Sequence, residues 1–300
     1  MEYSWLPAST EQLEKAVFRH VDVLAGLIGQ RDVTRPGALL AAGDYCRREL
    51  AAIGPGMSDV SYQTSGITLS NVVLECPGNK KPGEVLIIGA HYDSDARTPG
   101  ADDNASAVAM LIEAARLISR VPLSRTVRFV AFPCEEMPHF ATNSMGSQVY
   151  ARHCKAKNEQ VVGMICLEMV GYFRDEPGSQ QYPPAIPSWL TRVLPKRGNF
   201  LAAVANLRSN WLLYHFARGF KRASKLPLLP VPLPEAIPEI HLSDHRSFWE
   251  LGYPALMLTD TSFLRNPHYH LRSDLPKTLD YPRLCLGTLG LAGAITRLAG

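Results

Sequence analysis

The sequence has 300 residues, 46% of them hydrophobic and 20% charged, with a formal net charge of +3. That apolar content excludes a disordered chain, and so small a charge leaves no electrostatic footprint for nucleic acid. No run approaches the roughly 18 to 20 apolar residues that a membrane span needs.

The N-terminus, MEYSWLPASTEQLEKAV, shows no basic start followed by an apolar stretch. A cytoplasmic location is therefore expected, with export of a longer precursor left open. Six scattered cysteines without a CxxC pair suit reduced, buried thiols. Leu13, Val17, Val21 and Leu24 recur at helical intervals, and Ser9 with Gln12 has capping-box spacing, which predicts a helix over 9–30. A second helix is expected over 37–53, stopped by Gly54-Pro55-Gly56. The period then changes. ITLSNVVLEC (67–76) and EVLIIGA (84–90) read as strands joined by the turn PGNKKPG. A helix over 104–119, capped by Asn104, leads to a strand over 126–132. A helix over 144–156 and a strand over 161–171 come next. Further strands are expected at 199–206 and 253–260, and helices at 209–223, 244–251 and 281–298.

Buried strands alternating with helices imply an α/β fold: a single domain over 1–300 whose mixed, mostly parallel sheet carries helices on both faces. Two Pro-rich stretches, 176–195 and 225–238, are expected to leave the sheet, because proline suits neither a helix interior nor a central strand. Long excursions of this kind serve as lids or pocket walls more often than as spacers.

Ligands of open α/β sheets bind beyond the carboxyl ends of the strands. After EVLIIGA come His91, Asp93, Asp102 and Asp103; after TVRFVAF come Glu135 and Glu136; VVGMIC runs into Glu168; after PALMLTD come His268 and His270. One sheet edge thus collects imidazoles and at least four carboxylates, which would repel one another unless divalent cations compensate them. Each piece alone has a plain structural reading, from a hydrogen-bonded His–Asp pair to acids favoured at a helix start. Their joint occurrence at successive strand ends is the signal, and the mixed nitrogen and oxygen set suits zinc, with manganese or cobalt as lesser options.

HYDSD, PGADDNAS, CEEMP, LEMVGYF and NPHYHLRSD, in this order, resemble the sequence blocks of metallopeptidase family 28, the co-catalytic double-zinc exopeptidases. That family includes aminopeptidases, glutamate carboxypeptidases and glutaminyl cyclases, and the resemblance runs from about residue 67 to the C-terminus. It implies two zinc ions per chain. His91, Asp103 and Glu168 would hold one; Asp103 would bridge to the second, completed by Glu136 and His270. Asp93 would accept a hydrogen bond from His91, and Glu135 would be the general base. A cis peptide is implied at Asp103–Asn104. Many aminopeptidases of the family carry Asp where this chain has Glu168.

The resemblance implies a zinc aminopeptidase acting on peptides with a free N-terminus. A single-zinc glutaminyl-cyclase-like acyltransferase, a carboxypeptidase and a catalytically inactive binding module of the same fold are the alternatives. Phe140, Phe173, Phe263 and the Pro-rich stretches are candidate pocket walls. Asp244 and His245 are candidate contacts beside the site. Arg265 and Asn266 are candidate substrate-end contacts, weighed equally against loop packing. Tyr172 and Tyr269 lean toward packing rather than catalysis. Oligomeric state is not legible.

Overall fold

A computed structural model describes residues 10–184 and 186–300. Helix α1 (Thr10–Val21) buries Leu13, Val17 and Val21 and continues as a π-helical stretch over Asp22–Ile28. The Ser9 half of the expected capping box lies outside the described residues. Helix α2 (Pro36–Ala51) starts on its proline, whose missing N–H needs no partner there. His20, fully buried on α1, joins the first helices: Nδ1 lies 2.6 Å from the Tyr45 hydroxyl and Nε2 lies 2.9 Å from Glu113.

Strand β1 (Met57–Thr64) turns through Ser65 and Gly66, both at positive φ, into β2 (Ile67–Cys76). β1 was not expected. It is an edge strand whose residues, MSDVSYQT, carry no apolar alternation. Strand β3 (Lys81–His91), helix α3 (Ala107–Ile118), strand β4 (Arg125–Phe132), helix α4 (Gly146–Ala156) and strand β5 (Gln160–Glu168) keep the expected order. Then come the short helix α5 (Ser188–Thr191), β6 (Leu201–Asn206), α6 (Asn210–Ala223), β7 (Leu228–Leu233), α7 (His245–Glu250), β8 (Ala255–Thr259) and α8 (Tyr281–Ala299).

The eight strands form one mixed sheet in the order β1-β2-β4-β3-β5-β8-β6-β7. Its centre, β4-β3-β5-β8, is parallel, which is why those strands read as unbroken apolar runs. The turn after β2 makes no hairpin with β3, because β4 inserts between them and pairs antiparallel with β2. The larger core packs α1, α2, α3, α6 and α8 on one face, and the smaller packs α4 and α7 on the other. Part of the second Pro-rich stretch corrects its expectation. Residues 228–233 do not leave the sheet but pair parallel with β6 at its edge. An edge strand has one side free of partners, so Pro230 and Pro232, two residues apart, remove N–H groups from a single side of the strand. All six cysteines are free thiols, and among the described residues no helix is long and apolar enough to cross a membrane.

Helices α6 and α8 approach through glycine. A Cβ on Gly293 would sit 2.3 Å from the Ala223 Cβ and 2.8 Å from the Gly219 carbonyl oxygen. Gly293→Val should therefore destabilise the fold by about 2 kcal/mol or more, read as a lower urea midpoint at unchanged slope. An unchanged midpoint would mean that the two helices do not pack this closely.

Candidate metal and active site

The parallel register delivers the first cluster. Gly89 of β3 is level with Cys166 of β5, so two residues further on His91 and Glu168 end their strands side by side. His91 Nε2 lies 3.4 Å from Glu168 Oε2 and 3.4 Å from Asp103 Oδ1. His270, from the loop beyond β8, approaches Asp103 from the other side: its Nε2 is 3.1 Å from Asp103 Oδ2 and 3.4 Å from Glu136 Oε1. Asp103 therefore stands between two imidazoles, one carboxylate oxygen toward each. Two sets of potential ligand atoms each lie within 4.8 Å of one another: His91, Asp103 and Glu168, and Asp95, Glu136 and His270. Asp95 is the member that sequence reasoning missed, although it ends the quoted HYDSD. Its Oδ2 lies 3.8 Å from His270 Nδ1.

Glu135 and Glu136 are adjacent yet both reach the site. β4 has ended at Phe132, and Cys134 takes a positive φ of 58°, which breaks strand alternation. Asp93 fixes that turn: its two carboxylate oxygens accept the N–H groups of Glu135 at 3.1 Å and Glu136 at 3.0 Å. The sequence pointed Asp93 only at His91. The structure keeps that neighbour, with Nδ1 at 3.4 Å from Asp93 Oδ1, and adds the backbone clamp.

Asp103 is placed by a second clamp. Asp274 accepts the N–H groups of Asp102 at 2.9 Å and Asp103 at 3.2 Å. The Asp103–Asn104 peptide is cis, as expected. Asn104 does not cap α3. A turn over Ala101–Ser106 precedes the helix, and the Asn104 side chain donates to the Leu167 carbonyl at 3.0 Å and accepts from Met169 N–H at 2.9 Å, tying Asp103 to the end of β5. Behind it, Arg31 is fully buried and donates to the carbonyls of Tyr92 at 2.7 Å and Gly100 at 2.8 Å, and to that of Pro99. Nothing local in GQRDVT marks that role.

Other expectations are corrected. Arg265 is buried and bound to Gln180 Oε1 at 2.8 Å and the Phe200 carbonyl at 2.8 Å, so its guanidinium holds loops together. Asn266 donates to buried Asp102 Oδ2 at 2.7 Å. Phe173 packs in the core, whereas Phe140 and Phe263 line the cavity. The Ser243 hydroxyl donates to Glu168 Oε2 at 2.7 Å. Asp244 and His245 are fully buried behind Glu168 and do not line the cavity. Tyr172 is buried away from it, while Tyr269 lines it and stacks on His270 at 3.8 Å.

The electrostatics favour protons or a cation at this cluster. His91 Nε2, Asp103 Oδ1 and Glu136 Oε1 are buried without a hydrogen-bond partner, although a buried unpaired polar atom is destabilising. Burial, with Asp103 alongside, pushes the Glu136 carboxyl up to about 8, and burial raises Glu135 and Glu168 as well. Burial opposes a charge on His270, yet Asp103 and Glu136 lift it to about 10. The same balance, with Glu168 and Glu135 as the acids, raises His91. A metal ion would take the place of those protons, and the nitrogen and oxygen donors are of the type zinc accepts.

Residues 71–285 match the family model of Peptidase family M28. The chain is 35% identical over 285 residues to the uncharacterized protein YfbL of Escherichia coli K12, covering 92% of this chain and 84% of that one. The LapA aminopeptidase of Legionella pneumophila shares the fold with a TM-score of 0.70 at 20% identity, over 97% of this chain and 73% of that one. A glutaminyl cyclase of Bacteroides thetaiotaomicron shares it with a TM-score of 0.67 at 17% identity, over 96% and 97%. The chain spans 58% of the length of the Trichophyton leucine aminopeptidases it also matches.

Proton linkage gives a test. Glu136 rises from 4.5 to about 8 and His270 from 6.5 to about 10, so both bind their protons more tightly folded than unfolded. Their contribution is complete below the unfolded values and lost as pH climbs through the folded ones. The chelator-treated protein should therefore lose stability between pH 5 and pH 9. The gain in Tm from a fixed free zinc concentration should grow over the same range, as ligands shed protons more readily. A zinc shift that is constant across this range would contradict the ligand set.

Proposed function

We propose that this chain, which belongs to peptidase family M28, is a zinc-dependent aminopeptidase that removes N-terminal residues from peptides. In this reading His91, Asp103 and Glu168 hold one zinc ion, and Asp103, Glu136 and His270 hold a second. Bound zinc supplies the positive charge that acidifies a water molecule and polarises a carbonyl.

Glu135 is the general base. Its backbone is held by Asp93, its side chain lines the same cavity as Glu136 and His270, and its Oε2 lies 3.9 Å from His91 Nε2. A carboxyl whose proton affinity is raised by burial takes a proton from water and returns it to the leaving amine more readily than an exposed one does. Asp93 keeps Glu135 and Glu136 facing the site together, which their adjacency in sequence would otherwise prevent.

The observation that carries the aminopeptidase reading is the composition of the cavity. It is lined by Asp103, Glu135, Glu136, Glu168 and Glu239 with His270, and by no lysine or arginine among the described residues. Three of these acids are proposed zinc ligands, so the charge left over is that of Glu135 and Glu239, which favours a substrate's ammonium end over a carboxylate end. A carboxypeptidase needs a cation there; Arg265, one candidate beside Arg174 and Arg272, is committed to Gln180 and backbone carbonyls, and none of the three lines the cavity. Glutaminyl cyclisation is the second reading, favoured by the shared fold. It too starts from a free N-terminus, so the product and the number of zinc ions separate the two. Retention of Glu135 and of all five proposed ligands opposes an inactive binding module.

Aminoacyl p-nitroanilides with free and with acetylated amino groups, together with an N-terminal glutaminyl peptide, test the assignment. Nitroaniline release only from the free amines is expected; release of ammonia from the glutaminyl peptide alone would replace the assignment with cyclisation. Glu135→Gln should lower kcat by about 10²- to 10⁴-fold while bound zinc is unchanged. A near-normal rate would remove Glu135 from the role of base.

A further inference from the structure

The cavity that opens from the proposed metal site has a volume of about 500 Å³, enough to enclose a whole small ligand rather than a short side chain. Its floor is the β6–β7 end of the sheet, where Ala202 and Val204, two apart on β6, are small enough to leave depth. The first Pro-rich stretch lines it with Tyr182, Ile186 and Leu194, the second with Ile237, and the turn that follows with Ile240.

One acid in this apolar wall is neither a proposed ligand nor the proposed base. Glu239 sits on the 3-10 turn Pro238–His241 and lines the same cavity as Glu136 and His270. Its Oε2 is buried and has no hydrogen-bond partner. Arg246, seven residues on, is paired with Glu250 at 2.8 Å. A carboxylate oxygen taken out of water without a partner is destabilising. It is tolerable where a ligand brings the partner.

We propose that Glu239 selects an N-terminal residue with a long apolar stem and a cationic end, lysine or arginine, whose methylenes lie along the apolar wall while the cation pairs with the Glu239 carboxylate. The inference rests on the aminopeptidase reading. An uncharged side chain of the same length would fill the same volume but leave Oε2 desolvated and unpaired, so discrimination comes as much from the penalty on the wrong substrate as from the gain on the right one.

The test compares lysyl and norleucyl p-nitroanilides, which share a linear four-carbon stem and differ by the terminal ammonium. In the wild type the lysyl substrate should have a kcat/KM about tenfold higher or more, and Glu239→Gln should collapse that ratio toward one. Efficient cleavage of both with the norleucyl substrate equal or preferred would overturn the assignment of Glu239 and leave the aminopeptidase reading intact. Should neither be cleaved, the aminopeptidase reading fails, and the pocket is judged by binding. Thermal shifts with lysinamide and norleucinamide on the zinc-loaded protein then decide. A larger lysinamide shift that disappears in Glu239→Gln supports the pairing; equal shifts overturn it.

Discussion

Asp103, Glu135, Glu136 and Glu168 are buried, and each has a carboxylate oxygen within 4 Å of His91 or His270. The two imidazoles cannot balance four acids when all are ionised, so the arrangement persists only with protons or metal ions present. The surrounding structure serves to hold this repulsive set in place. It does so with a second group of buried carboxylates used differently. Asp93, Asp274 and Asp260 each accept two backbone N–H groups, and Asp102 accepts one along with two side-chain donors. Those acids are satisfied by the chain. Asp103 and Glu136, with His91, keep buried atoms that the chain does not satisfy. The division has two exceptions: Asp244, away from the cavity, is buried with neither carboxylate oxygen paired, and Glu168, a proposed ligand, accepts from Ser243.

Most of the architecture was legible because the central strands are parallel and buried on both faces, so EVLIIGA, TVRFVAF and VVGMIC stand out as unbroken apolar runs. Most of the proposed ligands were legible for the same reason, since they stand just past the ends of those runs. The features that could not be read depend on partners distant in sequence. Asp274 clamps residues 171 and 172 positions away, and Arg31 braces a loop more than 60 residues on. Asn104 looked like a helix cap and is instead a staple to β5. For Arg265 and Asn266 substrate contact and loop packing weighed equally, and both proved to be internal braces. The edge strands escaped detection by opposite routes. β1 is too polar to alternate, and β7 carries prolines that argue against a strand anywhere but an edge.

The proposed chemistry and the proposed selection occupy different parts of the sheet. The acids and imidazoles stand at the carboxyl ends of β4, β3, β5 and β8, where register fixes their spacing. The cavity extends over β6, β7 and the Pro-rich stretches, away from the parallel centre. Side chains there can change without disturbing the strand ends, and loops carried on a rigid sheet are where specificity varies within a fold. This separation fits a family whose fold is shared by proteins described as an aminopeptidase and a glutaminyl cyclase.

The paired-ion arrangement is most directly tested by metal content. The protein, purified without chelator, incubated with zinc and freed of loosely bound ions by gel filtration, should retain two equivalents per chain by elemental analysis. One equivalent, or none, would contradict the proposal that Asp103 is shared between two ions.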